Sequence, residues 1–162
     1  MIRSRLIGVA AAALIGAAVG VPAALGAGAG TVSFTQTIKN QVVDSEADSN
    51  PCTGATGTFT LFAKSAVFHI TFNSKGFWAT FTASGTATFV PDDPSQPSYS
   101  GHFATWDGEN GNLRNGTATE TFNVRLTGTD GSVVTDDAVA HISFSASGVG
   151  PITFDRDRVT CG

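Results

Sequence analysis

His69, His102 and His141 are the only imidazoles in the chain, and three imidazoles are what a zinc ion with an open fourth position would need. Each sits in an alternating stretch beside a large apolar residue: His69 between Phe68 and Ile70, His102 before Phe103, His141 before Ile142. Alternation sends neighbours to opposite faces of a strand, so the histidines share the face that the phenylalanines leave. No two of them stand at His-x-His or His-x-x-x-His spacing, and no metal or other cofactor is expected. The reverse arrangement would gather the three histidines with Trp78, Trp106, Thr121 and Arg125 around a polar cavity, but it would leave Phe68, Phe72, Phe77 and Phe81 in water.

Other chemistry is sparse. Ser84-Gly85 and Ser147-Gly148 lack the Gly-x-Ser-x-Gly elbow, and Asp137 and His141, four strand residues apart, would be separated by roughly 13 Å. No catalytic residue is assigned. The run from Asp107 to Asn112 bears oxygen side chains but lacks the spacing and closing Glu of a calcium loop, so it reads as a turn-rich connection.

One carboxylate falls on an apolar face. In the stretch 117–127, Ala118, Glu120, Phe122, Val124 and Leu126 alternate with Thr117, Thr119, Thr121, Asn123 and Arg125. The partner stretch 132–144 carries Val134, Ala138, Ala140, Ile142 and Phe144. A two-residue Asp130-Gly131 turn would split these sets between faces, whereas a three-residue Thr129-Asp130-Gly131 loop with a left-handed Gly131 gathers them on one. That register opposes Glu120 to Ala140, Phe122 to Ala138 and Val124 to Asp136. Glu120 is then either a polar anchor in a ligand cavity or a strand-end group reaching water, because an unpaired buried charge is costly.

The elements that position these residues are strands. Alternation recurs from residue 31 onward with no helical period, giving strands at 31–38, 58–63, 66–72, 77–90, 99–106, 117–127, 132–144 and 152–159, the fourth broken by a bulge near Ser84-Gly85. Residues 44–57 read as a loop, and Pro91 to Pro97 as a rigid exposed connection. The expected fold is all-β: a single antiparallel meander of eight or nine strands closed into a barrel.

The first 29 residues have the layout of a secretory signal, with Arg3 and Arg5 ahead of an uncharged Ala- and Leu-rich run and a small-residue cleavage pattern at Ala27-Gly28-Ala29. Residues 30–162 form the expected secreted domain. Removing Arg3 and Arg5 from the nine basic residues leaves seven against thirteen acidic ones, a net charge of −6. Such a surface repels phosphate backbones and anionic membranes, so neither nucleic acid nor membrane is an expected partner. The two cysteines, Cys52 and Cys161, are expected to pair with each other in an extracellular, oxidising setting.

Phe68-His69-Ile70-Thr71-Phe72, Pro97-Ser98-Tyr99-Ser100-Gly101-His102-Phe103, Trp106-Asp107-Gly108-Glu109-Asn110 and Thr127-Gly128-Thr129-Asp130-Gly131-Ser132 resemble segments of small secreted β-rich proteins of high-GC Gram-positive bacteria, over nearly all of residues 30–162. The strand layout is similar to the barrels of lipocalins, streptavidin and the allene oxide cyclase and dirigent proteins. That likeness implies architecture alone.

The function expected from these features is a non-enzymatic extracellular binding module for a small, largely apolar ligand, contacted by Glu120 and Trp106. An enzyme on a cyclase-like or dirigent-like barrel would instead need His69, His102 and His141 to converge. A protein acting through its surface, such as a protease inhibitor, would use the 91–97 connection.

Overall fold

Hydroxyl-bearing and apolar side chains alternate over most of the chain, so each segment can bury one side only by joining a sheet. The computed structural model describes residues 30–112, 114–145 and 148–162. Its strands are β1 (Val32–Ser49), β2 (Thr56–Asn73), β3 (Gly76–Pro91), β4 (Tyr99–Gly111), β5 (Asn115–Gly128), β6 (Val133–Ser145) and β7 (Gly148–Cys161). They form one antiparallel meander in the order β1-β2-β3-β4-β5-β6-β7, and no helix occurs among the described residues. The expected signal peptide, residues 1–29, lies outside the described residues.

Seven strands stand where eight or nine were expected, because the strands are longer than their sequence patterns suggest. The segments 58–63 and 66–72 are one strand, β2, with a bulge at Lys64. The extra residue lets Ala63 and Ala66 both turn into the core. Residues 44–49, expected in a loop, continue β1 and pair with residues 56–61 of β2 after a bulge beside Val43 and a left-handed Asn40, φ 53°. As an edge strand, β1 needs to satisfy only one neighbour and tolerates the charged residues that hide its alternation.

Gly85 lies inside an unbroken β3 and is required by close approach. A Cβ there would lie 2.8 Å from the Lys64 amide nitrogen and 2.9 Å from Ala63 Cα, where the β2 bulge presses against it. The 107–111 run, expected as a loop, completes β4 and pairs residue by residue with β3 and β5. This extension places two carboxylates on the sheet's inner face.

The β5–β6 hairpin has the register that the three-residue loop requires. Glu120 pairs with Ala140, Phe122 with Ala138 and Val124 with Asp136. Gly131 takes the left-handed conformation at φ 86°, its amide donating to the Gly128 carbonyl.

One face of the sheet is the core. Leu61, Ala63 and Ala66 of β2, Ala83, Ala87 and Phe89 of β3, Tyr99 and Phe103 of β4, Phe122, Val124 and Leu126 of β5 and Val134 of β6 are buried together. Ile38, Val43 and Val159 from the two edge strands pack against the same cluster. Phe103 stacks on Phe122 with ring centroids 6.4 Å apart.

For β1 and β7 to reach one cluster, the sheet must roll. Laid flat, seven strands would separate its edges by roughly 29 Å, yet Cys52, in the β1–β2 turn, and Cys161, at the end of β7, are disulfide-bonded with Cα atoms 5.8 Å apart. Asn50, buried in that turn, accepts hydrogen bonds from the Cys52 and Thr53 amides at 2.8 and 3.2 Å and so shapes the backbone that presents Cys52. No ladder joins β1 to β7 among the described residues. At the end away from the disulfide, Val32 and Phe34 share the inner-face register with Phe72 and Ile70, yet they remain 49% and 45% exposed. The concave side is therefore accessible from that end.

Candidate functional site

Across the middle of the concave face, one transverse row reads Gln36, Phe68, Phe81, Asp107, Glu120, Ala140 through successive ladders. Asp107 and Glu120 are directly opposed, a placement that brings Cβ atoms to about 4.5–5.5 Å. Glu109 follows two residues beyond Asp107 on the same face, opposite Ala79 and Ala118.

Aromatic and methyl neighbours make this a poor place for charge. Burial first, and then the charge of Glu120, push the Asp107 carboxyl up to about 7. Burial raises Glu120 and Glu109 as well. Glu120 Oε1 is buried with no hydrogen-bond partner among the described residues. A carboxyl that holds its proton near neutral pH is a hydrogen-bond donor as well as an acceptor, so the pair can share a proton or donate to a polar atom lodged beside it.

A fourth raised carboxyl stands nearer the disulfide end. Asp136 faces Val124 and Val159 on the concave side and is pushed up to about 7 by burial, then by a hydrogen bond and charge from Asp157, with smaller contributions from Asp137 and, across the seam from β1, Asp48.

The histidines are elsewhere. His69 and His141 fall in one row of the outer face, Thr35, His69, Thr80, Gly108, Thr119, His141, four strands apart. That is roughly 19 Å of sheet. His102 lies further along, opposite Arg125. His69 Nδ1 meets Thr35 Oγ1 at 2.7 Å, and His141 Nδ1 meets Thr119 Oγ1 at 2.7 Å. The sheet therefore does not bring the three together, and no cluster of three metal-ligating side chains occurs among the described residues.

Trp106 is also on the outer face, opposite Thr82 and Thr121, with its indole laid over Gly108. It is 41% exposed and does not share a site with Glu120. The residues that do, Asp107 and Glu109, were hidden by glycines and an asparagine that imitate turn chemistry. Extending the parity of Tyr99, Gly101, Phe103 and Thr105 by two more steps would have found them.

A cleft of about 600 Å³ opens at the rim away from the disulfide, between the β2–β3 and β4–β5 hairpin ends and β6. Comparison with family models, with curated proteins and with solved structures finds no match to this chain.

Proposed function

We propose that this protein is an exported, non-enzymatic binding module whose rolled sheet acts as a closed barrel and holds a small, largely apolar ligand on its concave side. The reading rests on one observation: Asp107 and Glu120 oppose each other on an apolar concave face, with Glu120 Oε1 buried and unpartnered. A buried acceptor without a donor costs about 1–3 kcal/mol, which a ligand carrying one hydroxyl or amine and otherwise hydrocarbon would recover. Accessible Phe34 and Val32 supply apolar surface on the side such a ligand enters.

Export and an extracellular location agree with the disulfide and with the cationic, then apolar, first 29 residues. Proton-shuttling catalysis by the pair is the neighbouring alternative, but His69, His102 and His141 all stand on the outer face, away from it. Fluorescence titration with the neutral apolar probe N-phenyl-1-naphthylamine should show saturable, near-stoichiometric uptake that Phe81→Asp abolishes. Absence of saturable uptake by the folded wild-type protein would refute the reading.

A further inference from the structure

We propose that the rim cleft is a saccharide site, in which a neutral sugar ring stacks on Trp78 and its hydroxyls bond the surrounding amides. This goes beyond the concave-face reading and does not depend on it. Trp78 is 50% exposed on the outer face of β3 and lines the cleft. Its indole is held in place: the His69 ring meets it edge-on at 6.0 Å, and His69 is itself fixed by Thr35 at 2.7 Å and Thr71 at 3.2 Å. A rigid aromatic plane with few torsions to freeze is an efficient contact surface.

The cleft is built by close approach. A Cβ on Gly111 would lie 2.9 Å from the Phe77 ring, and one on Gly116 would lie 2.6 Å from the Asn110 carbonyl oxygen and overlap the Phe144 ring. Glycine at these two paired positions lets both phenyl rings close the inner side of the cleft.

Beside Thr71, Thr117 and Ser143, its polar lining includes asparagines oriented by their own hydrogen bonds. The Asn73 side-chain carbonyl accepts from the Lys75 and Gly76 amides at 2.8 and 3.1 Å, and that of Asn112 accepts from the Arg114 and Asn115 amides at 2.8 and 3.1 Å. Both amides are left with Nδ2 protons to donate. Asn110 does the reverse, spending Nδ2 on Thr117 Oγ1 at 2.9 Å and leaving its oxygen to accept.

Chemistry separates the possible occupants. Among the described residues, no carboxylate lines the cleft and Lys75 is its single cation, in a chain of net charge −4, so an anion would find little to neutralise it. A hydrocarbon would leave several amides unpaired at a cost. A polyol with an apolar ring face satisfies both the indole and the mixed donors and acceptors, and about 600 Å³ falls within the roughly 300–1,000 Å³ of small-ligand sites.

Saturation-transfer NMR on the secreted, disulfide-bonded protein with cellotetraose, chitotetraose, maltotetraose and mannotetraose at millimolar concentration tests this. At least one should receive saturation at its ring C–H protons and bind saturably, Trp78→Ala should weaken that sugar at least tenfold, and Trp78→Phe should weaken it less. Thermal unfolding of both variants should match wild type, since the indole is half in water. Absence of saturable binding by all four sugars, or undiminished binding by folded Trp78→Ala, would overturn the proposal. Sugar binding and naphthylamine uptake are read separately, so either can fail alone.

Discussion

Asp107 and Glu120 face one another across the β4–β5 ladder on the concave side of the sheet, a cross-strand pair of like charges in an apolar setting. Directly opposed like charges destabilise a sheet. Burial and the facing Glu120 favour the protonated form of Asp107, and the pH dependence of stability follows from that shift.

Stability should fall as pH rises from about 4 to about 7. Asp107 and Asp136 are each pushed from 3.8 up to about 7, so the folded state holds protons that the unfolded chain has released, and stability declines wherever that is so. The stabilisation is complete below the unfolded value and lost once pH passes the folded value. Urea midpoints at pH 4, 6 and 8 should decrease in that order; a midpoint that climbs from pH 4 to 8 would contradict both assignments.

Asp107→Asn keeps the shape and removes the charge. A shift of this size would be worth about 4 kcal/mol if fully expressed, and solvent screening of a partly exposed pair reduces it to about 1–2 kcal/mol. The variant should therefore be more stable than wild type at pH 8 by about 1–2 kcal/mol and nearly equal to it at pH 4, read by urea unfolding at both.

Cys52→Ser with Cys161→Ser removes the covalent link between opposite edges of the sheet, which closes a sequence separation of 109 residues. The expected loss is about 2–5 kcal/mol. Protection of β1 and β7 amides from hydrogen exchange should fall more than protection of β3 to β5, because the edges lose their anchor while the central ladders keep theirs.

Gly85→Ala should cost about 1–3 kcal/mol, the usual penalty for forcing volume into a packed interior. The added methyl would overlap the Phe62 carbonyl oxygen and press on the bulge at Lys64, whose amide nitrogen lies 2.8 Å from its position. Thermal unfolding would show it; an unchanged midpoint would mean the β2 bulge relaxes freely.

The sequence was most legible where both members of a ladder carry strong alternation. Phe122, Val124, Leu126, Val134 and Ala138 specify the β5–β6 register against a one-residue slip, which would divide the core between faces. It was least legible where strand residues resemble loop residues. Asp44, Glu46 and Asp48 on β1 read as a solvated connection, since an edge strand need not look apolar. Asp107-Gly108-Glu109-Asn110-Gly111 reads as turns, although Gly108 is there to accommodate the Trp106 ring. Half of the carboxyl pair was visible as Glu120, while its partner was concealed in the false turn. Trp106, expected beside the same ligand as Glu120, stands by strand parity on the other side of the sheet.

The proton on the concave face is the central claim, and a carbon-13 titration of the Asp107 carboxyl by NMR tests it most directly. A midpoint near 7 is predicted, with a second inflection as Glu120 titrates against it. A single transition near 4 would mean that Asp107 stands freely in water, and that the concave face holds no neutral carboxyl to anchor a ligand.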